Sequence, residues 1–306
     1  MANTVLVLGA SGLFGSQAAS AFAAAGWQVR TYQRGTDMAR AAQGVDVIVN
    51  GLNPPLYHDW DRLIPAITKQ VIAAGLASGA TVLLPGNVYV YGDQPGPWGP
   101  DTPHLPVARK GRIRATMEAD YRSATTRGLR VILLRGGDFI DPAAPASIWN
   151  MIVLKAVAKR RITAMAGPDV KRAYAYLPDM ARAAVALAER RATLPAYADI
   201  PFAGYTLTMQ DLASAVERLT GARMRLTRFM WWFITLAAPF WELARELREM
   251  RYLYDTAHSL DPAPLAAVLS DVRLTALDTV LRQHLDRLAP ALLTAQGTTT
   301  STQTGR

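Results

Sequence analysis

Apolar residues fall in short runs along the chain, punctuated by glycine, and the runs alternate between two periods. Val5-Leu6-Val7-Leu8 is the four-residue apolar run of a buried strand, and an alanine-rich helical pattern then holds from Ser16 to Ala25 until Gly26 stops it. Trp27 to Arg34 alternates like a strand, Asp37 to Gln43 is a short helical piece, and Val45 to Val49 is the next strand. Asp61 to Ala77 has helical spacing through Leu63, Ile64, Ile67, Val71, Ile72 and Leu76, with Gly79 ending it before the strand Thr81 to Leu84. A helix over Arg109 to Arg127 and a strand over Leu129 to Leu134 complete the alternation. Strands alternating with helices in this way predict an α/β protein with a doubly wound parallel sheet. Further on, the pattern predicts an amphipathic helix over Trp149 to Arg161, a helix after Tyr176 capped by Asp179, a strand Tyr205-Thr206-Leu207 and a helix Thr208 to Gly221. A solvent-facing helix over Glu242 to Arg251 and an amphipathic one over Leu274 to Leu288 follow.

Composition narrows the class without choosing a function. The chain has 306 residues and is 50% apolar, enough for a sizeable core. Its formal charge of +9 suits anionic partners: phosphorylated cofactors, nucleic acid or acidic membranes. Cysteine is absent, which rules out disulfides, thiolate nucleophiles and cysteine metal sites. The histidines His58, His104, His258 and His284 have no ligand spacing, so no metal is expected. The start of the chain lacks the charged region and cleavage site of a secretion signal, which reads as a cytoplasmic protein. Met230 to Trp241, the most apolar stretch, falls short of the roughly 20 residues of a membrane span and contains Pro239, so no transmembrane segment is expected.

The candidate chemistry begins at the first turn. Gly9, Gly12 and Gly15 recur every third residue between the first strand and the first helix, around Ser11, Leu13 and Phe14. In a dinucleotide site such glycines allow the tight turn, the approach of backbone to a pyrophosphate, and close packing of helix on sheet. The helix N-terminus then offers free N–H groups to the phosphates. Asn50-Gly51-Leu52-Asn53 turns at the C-terminal edge of a later strand, where ligands of open α/β sheets bind. Arg34 stands where NAD-selective sites carry an acid for the ribose, and its guanidinium suits a 2'-phosphate, so NADP(H) is favoured over NAD(H). No Lys-Ser/Thr pair follows Gly12, which excludes an ATP-type phosphate loop.

With its wider glycine spacing, the chain resembles the extended and atypical branches of the short-chain dehydrogenase/reductase superfamily, and specifically an NAD-dependent epimerase/dehydratase-like member. The resemblance covers residues 1 to about 220. Val90-Tyr91-Gly92 matches the end of the family's Ser-Ser-x-x-Val-Tyr-Gly segment, which puts Gly86 in the cofactor loop and Asn87 at the family's catalytic serine or threonine. Glu118 sets the register of the helix that carries the family's Tyr-x-x-x-Lys pair, whose positions are here Lys110 and Arg114. Arg135-Gly136-Gly137-Asp138-Phe139-Ile140-Asp141-Pro142 resembles Arg-x-x-Asn-x-Tyr-Gly-Pro, with Asp138 at the pocket-facing asparagine. Tyr174 to Ala181 resembles Tyr-Val-x-Val-x-Asp-Val-Ala. Extended members usually have another strand and an acidic adenine contact between Arg34 and Val45, and here only about ten residues separate them, implying a more open adenine pocket.

The resemblance implies a Rossmann-type cofactor-binding domain of residues 1–142 and about 168–200, with a smaller C-terminal substrate region of about 143–167 and 201–292. Residues 293–306, threonine-rich from Gly297, are expected to be a disordered tail. It further implies an NAD(P)-dependent oxidoreductase or epimerase-like enzyme acting on a small carbonyl or sugar-type substrate. Asn87 would orient the carbonyl, Lys110 or Tyr91 would supply a proton, and Arg114 would hold the nicotinamide ribose. A lysine buried beside a second cation gives up its proton more readily, which suits Lys110 to acid catalysis; a solvated or phosphate-neutralising basic cluster is the equal alternative. Asn53, Asp138, Trp231 and Trp232 are the candidate substrate contacts, the last two in the aromatic cluster Arg228 to Phe233, read as a lid helix or as a partner or membrane-surface contact. The altered catalytic positions also fit a non-catalytic NADP-binding sensor. The basic runs Arg109 to Arg114 and Lys155 to Arg161 come without a recognition motif, which argues against a nucleic-acid partner and leaves a homodimer open.

Overall fold

Val5 to Leu8 are buried on both sides, as the central strand of a parallel sheet must be. A computed structural model of the chain describes residues 2–270 and 272–297. Its first half alternates β1 (Thr4–Leu8), α1 (Leu13–Ala24), β2 (Gln28–Thr31), α2 (Met38–Ala41), β3 (Val47–Asn50), α3 (Trp60–Ser78), β4 (Thr81–Gly86), α4 (Arg109–Ala124) and β5 (Val131–Arg135). The second half adds β6 (Asp138–Ile140), β7 (Arg161–Ala164), β8 (Arg172–Tyr176), α5 (Leu177–Glu189), β9 (Tyr197–Pro201), β10 (Tyr205–Leu207), α6 (Met209–Thr220) and β11 (Arg225–Arg228). Helices α7 (Trp231–Ala237), α8 (Glu242–Glu249), α9 (Arg251–Asp255), α10 (Ala263–Val268), α11 (Leu277–Leu288) and α12 (Pro290–Gly297) follow.

Six strands pair in the order β2-β1-β3-β4-β5-β9, and every pairing is parallel. This is the doubly wound α/β sheet that the sequence pattern predicts. The chain leaves β1 toward β2 and then crosses back to β3, so the winding reverses between β1 and β3. Ligands of open sheets bind at the carboxyl ends of strands at such a point. The short interval after Arg34 leaves β2 as the sheet's exposed edge. Helices α1 and α5 cover one face through Phe14, Ala18, Phe22, Met180 and Ala184, while α3 and α4 cover the other through Ile64, Val71, Met117 and Tyr121.

Beyond Arg135 the Gly136-Gly137 turn carries the chain out of the main sheet. Strand β6 pairs with β8, and β8 with β10, in a separate three-stranded sheet. Strands β7 and β11 form a parallel pair beside it, and Trp149, Leu212, Val216, Leu281 and Leu285 fill the core of this region. The expected helix over Trp149 to Arg161 does not form. A wide helical turn spans Trp149–Val153, a tighter one spans Val157–Lys159, and Arg160 turns left-handed at φ 55° to start β7. Asp179 lies within the first turn of α5 rather than at its cap, and its carboxylate accepts from the Thr275 amide (2.6 Å) and hydroxyl (2.7 Å), pinning the C-terminal segment. Gly221 caps the C-terminus of α6 as its pattern predicts, and Thr208 caps the N-terminus in a reciprocal box with Asp211. Helix α12 reaches Gly297, so it takes the first residues of the expected tail; the remainder, 298–306, lies outside the described residues. Among the described residues, no helix is long and apolar enough to cross a membrane.

Candidate functional site

The glycine turn sits at the point where the winding reverses. Gly9 holds φ +74°, a conformation unfavourable to residues with a Cβ, and a Cβ there would also stand 2.8 Å from the Gly51 carbonyl oxygen. A Cβ on Gly15 would overlap the Gly9 carbonyl, so α1 can lie against the turn only if this residue is glycine. Gly9, Gly15 and Gly51 therefore pack β1, α1 and the loop after β3 into one another. Gly12 caps α1 without a side-chain hydrogen bond, and the first turn carries no acid. The N-terminal amides of α1 are thus left to an anion. This donor set and the close backbone approach suit the pyrophosphate of a dinucleotide.

Ser11 to Phe14 and Asn50 to Asn53 line one wall of a cleft of about 600 Å³. Asn50 is buried: its amide donates to the Tyr121 hydroxyl (3.1 Å) and its carbonyl accepts from Leu52 N (3.2 Å), which fixes the loop. Gly86, Asn87 and Tyr89 line the same cleft, with Tyr57, Arg114 and Asp138. Asn87 Oδ1 accepts from the Tyr89 amide (3.1 Å), leaving its NH2 group to a ligand. The Tyr57 and Tyr89 hydroxyls are 3.2 Å apart. Burial pushes both phenols up, Tyr89 the further, and the charge of Asp138 adds to the effect. Both therefore keep their protons at neutral pH. Arg114 stacks on Trp60, 4.6 Å from the ring centre, and donates to Asn53 Oδ1 (2.7 Å); burial lowers its affinity for its proton. Asp138 is paired with Arg172 (3.0 Å), whose guanidinium lies 4.0 Å from the ring centre of Tyr254. Leu247, Met250, Leu253 and Tyr254, from α8 and α9, close the cleft.

Several expected site residues lie elsewhere. Lys110 is fully buried and does not line the cleft: its ammonium pairs with Glu246 and with Glu249 (2.7 Å) on α8, and it meets the cleft only through the ring of Tyr57, 4.9 Å from its centre. Glu246 and Glu249 sit some 140 residues downstream, on a helix predicted to face solvent, and they capture a cation that the helix register alone aims at the substrate. Tyr91 is also buried away from the cleft: its hydroxyl donates to Gly99 O (3.1 Å) and its ring stacks on Trp98. Trp231 and Trp232 do not line the cleft either. Trp231 donates to Met165 O (2.8 Å), Trp232 is exposed, and the lid comes instead from α8 and α9. Arg34 stands exposed in the turn after β2, without a hydrogen-bond or ion-pair partner among the described residues.

Sequence reasoning missed Tyr57, Tyr89, Tyr254 and Arg172. Only Tyr89 had a legible signal, two residues from Asn87 in a segment already aligned with the family. Tyr57 reaches the cleft because Leu56 and Tyr57 both adopt left-handed backbone, at φ 53° and 65°, a departure no local pattern announces. Glu118, which set the helix register, is itself structural. Arg135, fully buried, bonds it through two nitrogens (3.1 and 2.8 Å), Asp199 (2.6 Å) and the Asn87 carbonyl (2.6 Å), tying α4, β9 and the Asn87 turn together. His104, Glu118 and Asp199 approach closely enough to suggest a metal site, yet the Arg135 guanidinium already engages both acids.

No protein-family model matches the sequence, and no curated protein matches it. Solved structures do match. One is MoeE5 in complex with UDP-glucose and NAD, at 16% identity and TM-score 0.74, covering 95% of this chain and 99% of that one. A second is a UDP-glucuronic acid 4-epimerase from Bacillus cereus in complex with UDP-glucuronic acid and NAD (15%, TM-score 0.77, 94% and 99%). A third is TunA, an NAD-dependent NDP-hexosamine 5,6-dehydratase involved in tunicamycin biosynthesis (16%, TM-score 0.72, 93% and 97%). At such identities the likeness establishes the fold: an α/β fold with a doubly wound parallel sheet, spanning nearly the whole chain.

Proposed function

We propose that the protein is an NAD(P)-dependent, epimerase/dehydratase-like oxidoreductase acting on a nucleotide-sugar or similar small carbonyl substrate. One observation carries this reading: the glycine turn and the Asn50–Asn53 loop meet at the sheet's reversal point and line one cleft together with Asn87 and the protonated phenols of Tyr57 and Tyr89. The solved structures of this fold described above include complexes with NAD and a UDP-sugar, which supports it. The bound dinucleotide would supply a ring that accepts and returns a hydride. The amides of Leu13 and Phe14 hold a pyrophosphate at the open end of α1. Asn87 presents its NH2 group to a carbonyl oxygen, and Tyr89, backed by Tyr57, presents a proton. Arg114 lines the same cleft and offers a guanidinium to a ribose hydroxyl.

NADP(H) is the favoured cofactor in this proposal because Arg34 is exposed and without an acidic partner at the end of β2. Titration of the protein with both dinucleotides tests it. Arg34→Ala is expected to weaken NADP(H) by about tenfold, the loss of one charge-assisted contact, and to leave NAD(H) nearly unchanged. Equal losses would refute the preference, and no binding of either dinucleotide would refute the reading itself. A second reading, a dinucleotide-binding sensor without turnover, draws on the capture of Lys110 and Tyr91 away from the cleft. A screen of nucleotide sugars separates the two: epimer, dehydrated product or dinucleotide turnover that Tyr89→Phe abolishes excludes the sensor.

A further inference from the structure

The helix α7 is apolar on both faces. Ile234 and Ala238 pack inward against Ala244 of α8, which is the ordinary burial of an amphipathic helix. The opposite face has no cover among the described residues. Trp232 is 63% exposed, Leu236 67% and Phe240, just beyond the helix, 94%, with Phe233 and Trp241 also exposed beside them. Trp232, Phe233 and Leu236 share one side of α7, and Phe240 follows in the turn that ends it. Scattered apolar residues on a surface need no explanation, but a contiguous aromatic face of this kind marks an interaction site.

Charge identifies what covers it. Arg228 precedes the helix, and Arg245 and Arg248 follow on α8, all three exposed. The acids that could neutralise them are engaged elsewhere: Glu246 and Glu249 hold Lys110 and Arg109, and Glu242 faces His58. Only a long contact from Arg245 to Glu246, 3.6 Å, crosses between the two sets. An aromatic apolar face flanked by arginines is the chemistry that lies in the headgroup region of an anionic bilayer, with its rings among the acyl chains. A ring as free of its own molecule as Phe240 inserts readily into a fluid layer, which conforms to it, whereas a rigid partner needs a matching pocket. We propose that the outer face of α7, with Phe240 and Trp241, docks this protein on an anionic lipid bilayer. Trp231 packs its ring 5.3 Å from that of Tyr254, so docking would place the cleft's lid beside the lipid.

Full-length protein sedimented with vesicles of phosphatidylcholine, with and without phosphatidylglycerol, tests the proposal. Binding is expected to the anionic vesicles, to fall as salt rises, and to weaken at least about tenfold in Trp232→Ser/Phe240→Ser, since each ring removed takes its apolar area out of the contact. Arg245→Ser/Arg248→Ser is expected to lose binding to the anionic vesicles while keeping its fold. These side chains are exposed, so circular dichroism melting should confirm that each variant remains folded. Equal binding to neutral and anionic vesicles, or no effect of the ring substitutions, would overturn the proposal. So would absence of vesicle binding, including the case in which the ring variant alone becomes a smaller species on sizing, which would make the face a contact between copies of the chain.

Discussion

The division of labour among the cations and phenols around the cleft makes separate predictions for residues that the sequence places together. Lys110 neutralises two carboxylates in a buried cluster, and removing one partner of a buried ion pair strands the charge of the other. Lys110→Met is therefore expected to cost about 3 kcal/mol in urea unfolding, the lower end of that class because Arg109 still faces Glu246, and to leave dinucleotide affinity unchanged. Loss of turnover at full stability would restore Lys110 to the reaction. Tyr89→Phe has the opposite signature. It removes a hydroxyl whose described partner is Tyr57, so the fold should lose no more than about 1 kcal/mol. Turnover of a nucleotide sugar, followed by product analysis, should drop by about 10²- to 10⁴-fold with the dinucleotide still bound. An unaltered rate would remove Tyr89 from the proposed chemistry.

At the level of elements, the strand–turn–helix at the N-terminus is where local pattern and tertiary structure agree most fully. A Cβ on Gly15 has nowhere to go except into the Gly9 carbonyl, so Gly15→Ala must push α1 away from β1 and from the Gly51 loop at once. The expected result is a loss of stability of about 2 kcal/mol together with loss of dinucleotide binding, read by thermal melting and calorimetry. The same elements explain what was legible. β1, α1, β3, α3, β4 and β5 announce themselves because buried parallel strands are near-continuous apolar runs and glycine marks their turns. The Trp149 to Arg161 stretch has helical spacing, yet it breaks into two short turns, and left-handed Arg160 then starts β7, which pairs with β11 from Arg161 on. For the site, sequence reached the backbone wall, whose residues are adjacent in the chain, and Asn87, Arg114, Asn53 and Asp138. It misplaced Lys110 because helix spacing reports which residues share a face and says nothing of what packs there. The acids that face Lys110 come from α8, and the lid comes from α8 and α9, contacts that no local period encodes.

At the scale of the whole molecule, stability is tied to pH through two histidines that the cleft does not use. His258 stacks on Trp98 at 4.6 Å, its Nδ1 is 2.8 Å from the Thr256 carbonyl, and its Nε2 is buried without a hydrogen-bond partner among the described residues. His284 lies against Trp149, ring centres 5.5 Å apart, with Nδ1 2.8 Å from Asn150 Oδ1 and Nε2 likewise without a hydrogen-bond partner among the described residues. Burial holds both down to about 4, with a cationic neighbour adding to the effect, Arg172 for His258 and Arg287 for His284. Because the folded value lies below the unfolded value of about 6.5, the unfolded chain binds more protons between those limits, and stability falls as pH drops through that window. Above pH 7 both rings are neutral in both states and the contribution is complete. At pH 5 each should have cost about 2 kcal/mol, so urea unfolding at pH 7 and pH 5 should differ by about 4 kcal/mol from these groups together. The effect is separable from acid loss of the Lys110 cluster, because Glu246 is held below its usual value by Lys110 and Arg109 against the cost of burial. Its contribution is complete above the ordinary carboxylate range and is lost as pH falls through that range toward the lower folded value. His284→Leu should therefore flatten the decline between pH 7 and pH 5 by about half while leaving the steeper loss below pH 4 in place. A decline of unchanged slope in that variant would mean that the ring is already charged in the folded core.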